Sequence, residues 1–424
     1  MKNRSVLLLI LSMIIFINNE IPTNQTREYR LPFTTKTGKL SLIGFGHPIV
    51  DGIFNYESQP ELAEEIKMKL NYHLSDDSSL DLYHSAFDLP ETEIFLGGSA
   101  LNSVRITNYL LNLFYKNNLD LNGCKCHASC SYATSEEEFG YIGIIGKDKY
   151  GEIVKSKLAE EGVVFLGSEI EDKITSTAIV LIESRERNIF AHISASNHIN
   201  SEHLHHFSHL ITNSKIFYAD SYLINSSFNS FEYIFYNYAD SDVLLALSLS
   251  NHSLVKDNFE KYMQIFPYVD ILIGNSEEFG IIQQLMVMER MDIKEFFDDF
   301  SKKFEKINKN KTLVFINTRG KDSTLIYEID FIKDRKEIIE VALIPVDESE
   351  ISDLNGAGDG FAGGFFTGIL LNMDLYHSAL LGNKIASEII KLKGFQLPYA
   401  MGYEDLRNFF DLNFDQCYNS TAQS

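Results

Sequence analysis

The sequence predicts an α/β fold in which helices cover both faces of a mainly parallel central sheet, with a small β lid beside it. Continuous apolar runs alternate with segments of helical pattern from about residue 40 onward. Such runs are expected of strands that are buried on both faces, as in parallel sheets. The 424 residues are 45% apolar, enough for the core of one large domain with an appendage.

The predicted elements of the central layer follow one another in a regular order. The apolar runs that predict strands lie at 39–46, 141–146, 215–220, 243–250, 270–275 and 312–317. The patterns that predict helices lie at 101–115, 148–161, 254–265, 276–306, 356–373 and 375–393. Alternation of this kind favours parallel strands joined by helical crossovers. Because ligands of such sheets bind beyond the carboxyl ends of the strands, we expect the site there.

Two segments interrupt the alternation and predict the lid. Residues 176–195 form two alternating apolar stretches around a charged turn, which is typical of a hairpin, and residues 52–94 are polar and irregular. A hairpin and a long loop beside an α/β core suggest a cover over a site. We therefore predict one domain over 36–415, with a lid from about 51–95 and 172–197, and a tail at 416–424.

The first 35 residues predict a leader. Lys2 and Arg4 precede an apolar run from Val6 to Ile17, and a positive flank before a short apolar core is typical of a secretory signal or anchor. The run is short for a transmembrane helix. The alternatives are a start codon placed too early or a buried helix. The only membrane association that we expect is through this leader, if it is retained.

The charge balance excludes one class of partner. Lys and Arg number 37 and Asp and Glu number 59, so the formal net charge is 37 − 59 = −22. Nucleic-acid binding needs a concentrated basic surface, so we expect no nucleic-acid partner. The same charge repels nucleotides at long range. Any phosphate site must therefore be built locally, from backbone amides and a metal ion.

The stretch DLNGAGDGFAGGFF, residues 353–366, predicts such a site. A glycine-rich turn at a helix start presents unpaired backbone N–H groups, and the helix dipole adds partial positive charge. Gly356, Ala357 and Gly358 would let phosphate oxygens approach the main chain. Asp359, at the edge of this anion hole, is suited to accept a proton from an attacking hydroxyl. Gly363 would let the helix pack closely on the sheet, as would Gly364. A glycine-rich cap or a flexible loop is the alternative.

This stretch resembles the second signature of the pfkB or ribokinase-like sugar kinases, D-T-x-G-A-G-D, and the chain is most similar to the adenosine kinases within that family. The similarity spans roughly residues 40 to 400 and includes several separate motifs in order. It implies a three-layer ribokinase-like fold, ATP as co-substrate, Mg²⁺ as cofactor, and phosphorylation of the ribose 5′-hydroxyl of adenosine, giving AMP in purine salvage. It also implies a cytoplasmic location, whereas the leader suggests entry into the secretory pathway or anchoring.

The resemblance implies a nucleoside site built from three motifs. GFGHPIVD contains His47 and ends at Asp51, which matches an Asp that holds the ribose hydroxyls; a carboxylate can accept hydrogen bonds from both. GGSALNS carries the main chain that approaches the ribose and a ribose-binding Asn. An aromatic side chain in ADSYLI matches the one that stacks on the base. The residues implied by the last two motifs are Gly97, Gly98, Asn102 and Tyr222.

The resemblance also implies the residues that bind ATP, its phosphates and Mg²⁺. Arg187 and Asn197 match lid positions, although an exposed lid Arg could be only a solvated charge. GNSEE resembles the family motif N-x-x-E, which organises Mg²⁺; oxygen ligands and water suit this ion. A helix N-cap Asn with an acidic first turn is the other interpretation, compatible with the first. The residues implied for Mg²⁺ are Asn275 and Glu278, and those implied for ATP are Thr318, Gly320, Asn383 and Ala386.

Several positions differ from the adenosine kinase pattern. His47 stands where Asn is usual, Asp220 replaces a small residue, and Leu354 replaces the Thr of the second signature. Ala100 and Leu101 replace a polar pair. Because the catalytic motifs are retained, we expect phosphoryl transfer, with adenosine as the main candidate acceptor. A pfkB kinase for another nucleoside or sugar is the alternative, and a non-catalytic nucleoside-binding protein is an alternative of another class.

Overall fold

A computed structural model describes residues 39–69, 80–116, 137–183, 186–286, 291–304 and 311–414. The predicted leader and tail lie outside these ranges, as does part of the polar segment 52–94. Within them, no helix is both long enough and apolar enough to cross a membrane.

Thirteen strands form two sheets in the described ranges. The strands are β1 (Leu42–Phe45), β2 (Ile49–Asn55), β3 (Glu93–Gly97), β4 (Phe139–Gly146), β5 (Val163–Ile170), β6 (Thr177–Glu183), β7 (Glu186–His192), β8 (Ile216–Asp220), β9 (Leu244–Ser248), β10 (Ile271–Asn275), β11 (Thr312–Thr318), β12 (Thr324–Asp330) and β13 (Arg335–Val341). The large sheet has the order β13-β12-β11-β10-β9-β8-β1-β4-β5, and the small sheet has the order β3-β2-β6-β7.

The large sheet is parallel from β5 to β11; β12 runs antiparallel to both β11 and β13, so it alone is opposite in direction to the other strands of the sheet. All six predicted strands are confirmed. Both faces are buried: along β8, Ile216 and Tyr218 belong to one apolar core, whereas Phe217 and Ala219 belong to the other. This double burial explains why these strands have continuous apolar sequences. The carboxyl ends of β1, β8, β10 and β11 lie at one edge of the sheet.

Helices cover both faces, which confirms the predicted fold class. They are α1 (Pro60–Lys69), α2 (Leu80–Phe87), α3 (Ser99–Lys116), α4 (Lys149–Glu161), α5 (Ser201–His206), α6 (Ser208–Thr212), α7 (Phe228–Asn237), α8 (His252–Asp257), α9 (Phe259–Ile265), α10 (Ser276–Leu285), α11 (Ile293–Lys302), α12 (Ala357–Leu370), α13 (Leu375–Ile389) and α14 (Tyr403–Phe414). One core includes residues of α3, α12 and α13, and the other includes residues of α7, α9 and α11.

The small sheet joins segments that are distant in sequence. The predicted hairpin is confirmed: β6 and β7 pair antiparallel from Thr177 opposite His192 to Glu183 opposite Glu186. However, β2 pairs with β6 in parallel and with β3 in antiparallel fashion. The hairpin is therefore extended into a four-stranded sheet by strands that flank the polar segment.

The prediction that residues 52–94 are irregular was wrong. This segment contains the greater part of β2, the helices α1 and α2, and the start of β3. In α1 only Ala63 and Ile66 are buried, so its apolar pattern is too sparse to reveal a helix. The helix nevertheless has favourable residues, with Pro60 at its first position and Glu61 in its first turn.

Two predicted helices are each divided in the structure. The segment 276–306 contains α10 and α11, because Asp292 starts a new helix by accepting hydrogen bonds from the N–H groups of Lys294 and Glu295. The segment 254–265 lies within α8 and α9, which meet at Asn258; its side chain donates to the Leu254 carbonyl at 3.0 Å. Local side-chain hydrogen bonds of this kind compete with continuous helix.

Glycines allow α12 to lie very close to two helices. A Cβ on Gly363 would lie 2.6 Å from the Ile106 Cβ of α3, and one on Gly364 would lie 2.9 Å from the Gly382 Cα of α13. The Thr107 hydroxyl of α3 donates to the Gly363 carbonyl at 3.1 Å. The prediction that these glycines face the sheet was wrong, since they face the neighbouring helices.

We predict opposite effects for two glycine substitutions in helices. Gly280→Ala, in α10, meets no atom within 4 Å, so it should stabilise the fold by up to about 1 kcal/mol through helix propensity. Gly363→Ala has the same gain in helix propensity, but its new methyl group would collide with Ile106 and the Ser103 carbonyl. It should lower the free energy of unfolding by about 1–3 kcal/mol. Urea unfolding of both variants checks this, and equal stability would contradict the close helix contact.

Candidate active site

The glycine-rich turn at the start of α12 forms the first wall of the site. Gly356 is the N-cap and has φ +78°, a left-handed conformation that favours glycine. Its carbonyl accepts the Gly360 N–H at 2.7 Å, so Ala357, Gly358 and Asp359 form the first turn. The N–H groups of a first turn have no acceptor within the helix, although that of Ala357 donates to the Leu354 carbonyl, before the helix, at 3.4 Å. At Gly358 a Cβ would meet open space, which leaves room for a ligand against the main chain.

Asp359 connects this turn to the start of α3. Its Oδ1 accepts a hydrogen bond from the Ser99 hydroxyl at 2.6 Å, and its Oδ2 accepts one from the Asn102 amide at 2.9 Å. Burial raises the pKa of the Asp359 carboxyl to about 6, although both hydrogen bonds oppose the shift. The residue keeps partial access to solvent. A carboxylate with these properties can accept a proton near neutral pH.

The turn after β3 brings four of the predicted residues together. A Cβ on Gly97 would collide with the Asp51 carboxylate, and a Cβ on Gly98 would collide with the His47 carbonyl. Gly98 has φ +111°, which also favours glycine. Asp51 lies on β2, opposite Phe95 of β3. Asn102 follows in the first turn of α3, and its N–H donates to the Gly98 carbonyl at 2.8 Å. The residues predicted to bind ribose therefore lie next to one another.

The carboxyl end of β8 forms the next wall. Tyr222 is 43% exposed, whereas Asp220 is only 1% exposed. The Asp220 carboxylate accepts the Ala100 N–H at 3.0 Å and the Tyr222 N–H at 3.1 Å. Burial raises the pKa of this carboxyl to about 7, and the charge of Asp359 adds to the increase. The exposed ring of Tyr222 is available to a ligand, whereas the carboxylate of Asp220 is occupied by two backbone N–H groups.

His47 lies inside this wall. Its Nδ1 is 2.6 Å from the Ser196 Oγ. The side chain is buried, and its hydrogen bond with Ser196 is within the protein. Burial lowers the pKa of the imidazole to about 4, so it is neutral at physiological pH.

The predicted Mg²⁺ residues form a reciprocal helix cap. The Asn275 Oδ1 accepts the Glu278 N–H at 2.9 Å, and the Glu278 carboxylate accepts the Asn275 N–H at 2.8 Å and its side-chain amide at 3.0 Å. Burial raises the pKa of Glu278 to about 7. Within the described ranges, no group of three or more His, Cys, Asp and Glu side chains is placed to hold a metal ion.

The predicted ATP residues lie at the β11 end and on α13. Thr318 ends β11 beside Asn275, and Gly320 follows in the next turn with φ +61°. The Asn383 side chain is buried: it accepts from the Thr324 hydroxyl at 2.8 Å and donates to the Ala342 carbonyl at 2.9 Å. Ala386 packs on Gly360 of α12. The amide of Asn383 thus connects α13 to the sheet.

The two predicted lid residues lie on and after β7. Arg187 pairs with Ile182 in the hairpin, and the structure does not describe its side chain. Asn197 lies in a short 3-10 helix, Ala195–His198, next to Ser196. Its amide donates to the Ile193 carbonyl at 3.4 Å.

Sequence comparison identifies the family. The family model for the pfkB family carbohydrate kinases matches residues 76–400. The chain belongs to the pfkB family of carbohydrate kinases. It is therefore a phosphotransferase with an alcohol acceptor and uses ATP as co-substrate. The alternative of a non-catalytic binding protein is set aside by this assignment.

This pfkB kinase is similar in sequence to adenosine kinases of a plant and of a slime mould. Adenosine kinase 2 of Arabidopsis thaliana is 25% identical over 363 residues, covering 84% of this chain and 95% of the relative. Adenosine kinase of Dictyostelium discoideum is 24% identical over 362 residues, covering 85% of this chain and 97% of the relative. The predicted similarity to adenosine kinases within the family is thus confirmed.

Solved structures share the fold. Adenosine kinase of Anopheles gambiae, in complex with P1,P4-di(adenosine-5) tetraphosphate, has a TM-score of 0.67 and 23% identity, covering 83% of this chain and 96% of that one. Adenosine kinase of Schistosoma mansoni, in complex with 2-fluoroadenosine, has a TM-score of 0.66 and 21% identity, covering 84% of this chain and 98% of that one. At these identities the similarity shows the ribokinase-like fold alone.

Sequence reasoning missed two contributors to the kinase site. Ser99 lies in the motif GGSALNS, and the sequence predicts no role for it, but its hydroxyl donates the 2.6 Å hydrogen bond to Asp359. Arg105, one turn after Asn102, was also missed. Its guanidinium forms a buried bidentate pair with Glu161 at 2.6 and 2.7 Å and donates to the Asn102 Oδ1 at 3.4 Å. A charged residue inside an apolar helix was the available signal.

We predict that Gly98 is needed for packing as well as for conformation. Gly98→Ala and Gly162→Ala both place a side chain at positive φ, +111° and +80°, but only the former collides with backbone. Gly98→Ala should therefore cost roughly 1–3 kcal/mol more in the free energy of unfolding. Chemical unfolding of the two variants measures the difference. Equal losses would contradict the contact with His47.

Proposed function

We propose that this pfkB kinase transfers the γ-phosphoryl group of ATP to the 5′-hydroxyl of adenosine, giving AMP and ADP. The observation that carries the proposal is the position of Asp359. Its carboxylate joins the first turn of α12, suited to phosphate, to Ser99 and Asn102 at the start of α3, suited to a sugar. The adenosine kinase relatives support adenosine as the acceptor.

In the proposed reaction, Asp359 is the general base. The nucleoside oxygen forms a bond to the γ-phosphorus while the bond from that phosphorus to the β,γ-bridging oxygen breaks and ADP leaves. The proton of the hydroxyl passes to the Asp359 carboxylate. A base with a pKa of about 6 is ionised at neutral pH and still basic enough to assist the transfer.

The first turn of α12 is proposed to stabilise the transferred group. The N–H groups of Gly356, Ala357 and Gly358 would face the phosphoryl oxygens, and the helix dipole favours negative charge at this end. Donors held in place before the reaction need no reorganisation during it, which makes such groups effective. The open space beside Gly358 supports this role.

The acceptor is proposed to bind between the small sheet and the end of β8. Asp51 would accept hydrogen bonds from the ribose hydroxyls, with the backbone of Gly97 and Gly98 close to the sugar. Asn102 orients Asp359 and would also contact ribose. The exposed ring of Tyr222 would stack on the base. We assign His47 a supporting role in the wall of this site, because its side chain is buried and hydrogen-bonds Ser196 within the protein.

The nucleotide is proposed to bind along the ends of β10 and β11. Asn275 and Glu278 fit a hydrated Mg²⁺, since they offer amide and carboxylate oxygens at a strand end, and water with phosphate oxygens would complete the shell. When bound, Mg²⁺ would neutralise charge on the ATP phosphates. Thr318 and Gly320 would approach ATP, and Ala386 with the backbone around Asn383 would line the adenine. Arg187 and Asn197 would close over the phosphates.

A second acceptor class is favoured by the polar groups near Tyr222. The buried carboxylate of Asp220 and the imidazole of His47 stand where adenosine kinases have other residues. This difference in the wall of the proposed acceptor site makes a pfkB kinase for another nucleoside or sugar the second candidate. Such an enzyme would use the same base and the same anion hole, so only the acceptor would change.

We predict that ADP release from Mg-ATP depends on adenosine and on Asp359. The full chain should turn over adenosine, and Asp359→Asn should lower kcat by about 10²–10⁴-fold while ATP still binds. Removal of Mg²⁺ with EDTA should abolish turnover. Parallel assays with other nucleosides, ribose and fructose identify the acceptor. Turnover only on one of these would replace adenosine, and a wild-type rate in Asp359→Asn would refute the mechanism.

The raised pKa of Asp359 predicts an acid limb in the pH profile. Because the base must be ionised, kcat/KM should be full well above pH 6, half-maximal near pH 6 and fall about tenfold per unit below it. Ser99→Ala removes a hydrogen bond that stabilises the carboxylate, so the limb should move to higher pH. Ser103→Ala is the control, since Ser103 donates to the Ser99 carbonyl and not to Asp359. Identical limbs in both variants would contradict the assignment.

A further inference from the structure

The helix α3 begins without a capping side chain of its own. Its first helical hydrogen bond runs from the Asn102 N–H to the Gly98 carbonyl at 2.8 Å, so Gly98 is the N-cap residue. An N-cap side chain usually accepts the N–H group of the second or third helical residue, and glycine has no side chain that could do so. The second helical residue of α3 is Ala100, and its N–H therefore needs an acceptor from another part of the chain.

The Asp220 carboxylate supplies this acceptor from the end of β8. Its Oδ2 accepts the Ala100 N–H at 3.0 Å, and its Oδ1 accepts the Tyr222 N–H at 3.1 Å. The second hydrogen bond caps a short 3-10 helix, Ser221–Ile224, so one buried carboxylate caps two helices. Negative charge at a helix start is also favoured by the helix dipole. Asp220 thus takes the place of the side chain that Gly98 lacks.

Gly46 leaves the space that this carboxylate occupies. Gly46 directly follows β1, the strand that pairs with β8. A Cβ on Gly46 would collide with the Asp220 Oδ2, which is the oxygen that accepts the Ala100 N–H. The three atoms nearest to such a Cβ all belong to the Asp220 carboxylate. A side chain at position 46 would therefore disturb this cap before any other contact.

The capped turn carries both hydrogen-bond donors to Asp359. Ser99 directly precedes Ala100, and its hydroxyl donates to the Asp359 Oδ1 at 2.6 Å. Asn102 follows in the same turn, and its amide donates to the Asp359 Oδ2 at 2.9 Å. Residues of one helical turn keep fixed positions relative to one another. The hydrogen bond that holds Ala100 to the end of β8 therefore also holds these two donors.

We propose that Asp220 is a positioning residue, which caps α3 from β8 and so holds Ser99 and Asn102 against the Asp359 carboxylate. This inference rests on the proposed function, in which Asp359 is the general base. The adenosine kinase pattern has a small residue at position 220, so the cap is a property of this chain. Because a misplaced base slows proton transfer without changing the contacts of ATP, loss of the cap should affect kcat more than KM for ATP.

The kinetic test compares two buried aspartates in the full chain, at nearly constant side-chain volume. Asp220→Asn leaves one acceptor oxygen for two N–H groups, so kcat should fall about tenfold and KM for ATP should change less than about threefold. Asp270→Asn is the control: its buried carboxylate accepts the Leu245 N–H at 2.8 Å and the Lys311 ammonium at 3.0 Å, but at the amino end of β10. It should lower stability and leave kcat unchanged. An unchanged kcat in Asp220→Asn would overturn the proposal.

Gly46→Ala tests the cap without changing Asp220. Its methyl group would displace Oδ2 from the Ala100 N–H and should also lower kcat about tenfold. Gly140→Ala is the control, because its methyl group would collide with the leucine side chains at positions 40 and 166 and should leave kcat unchanged. Because Gly46→Ala and Asp220→Asn act on one hydrogen bond, additive losses in the double variant would overturn the proposal. Chemical unfolding identifies any variant that fails to fold, and the others then decide.

The acid limb of the pH profile tests the link to the base. Burial raises the pKa of Asp220, and the charge of Asp359 adds to the increase, so the two carboxylates also interact directly. Burial raises the pKa values of Tyr218 and Tyr222, the other titratable groups that interact with Asp359, so neither ionises in this range. The shift of the limb that Ser99→Ala causes is therefore measured in the unmodified chain and again in Asp220→Asn, which cancels the direct charge effect. It should be much smaller in Asp220→Asn, and equal shifts would overturn the proposal.

Amide exchange at Ala100 does not depend on turnover. In protein labelled with ¹⁵N-alanine, the Ala100 signal is identified by its loss in Ala100→Gly. Its N–H should exchange about tenfold faster in Asp220→Asn and in Gly46→Ala, and at an unchanged rate in Gly140→Ala. Unchanged exchange in Asp220→Asn would overturn the cap. Absence of turnover on every acceptor would instead refute the proposed function, and with it the role of Asp220 in transfer, even where exchange responds.

Discussion

The close approach of α12 to α3 determines where the Asp359 carboxylate lies. Gly363 of α12 lies against Ile106 of α3, and the Thr107 hydroxyl of α3 donates a hydrogen bond to the Gly363 carbonyl. At the amino-terminal ends, this approach leaves Asp359 within hydrogen-bond distance of Ser99 and Asn102. A larger residue in the contact would separate the phosphate side of the site from the acceptor side. The glycines of α12 thus offset their cost in helix propensity by allowing this geometry.

Buried carboxylates give the site its electrostatic character. Asp220, Glu278 and Asp359 all have raised pKa values because burial disfavours their charged forms. Each is hydrogen-bonded to donors at or near a helix start, which partly stabilises the charge. Local amides, rather than a basic surface, therefore have to attract phosphate in a chain with a net charge of −22.

The fold shows which contacts a sequence pattern can reveal. The six apolar runs became buried strands because burial on both faces imposes continuous apolar sequence. In contrast, α1 buries only Ala63 and Ile66, and β2 joins the small sheet by pairing with β6, more than one hundred residues away. Sparse burial and distant pairing leave little periodic signal in the local sequence. The helix boundary at Asp292 depends on a cap that competes with a continuing apolar pattern.

The sequence alone determined the family, the α/β alternation and the glycine turn that ends in Asp359, because each depends on residues close together in the chain. Tertiary structure decided the partners of these residues. Ser99 reaches Asp359 across 260 positions, and His47 reaches Ser196 across 149. Asp220 became a backbone acceptor for Ala100 and Tyr222 only when β8 was placed beside α3. Such contacts depend on how the elements pack, and hydrogen-bonding capacity by itself does not specify the partner.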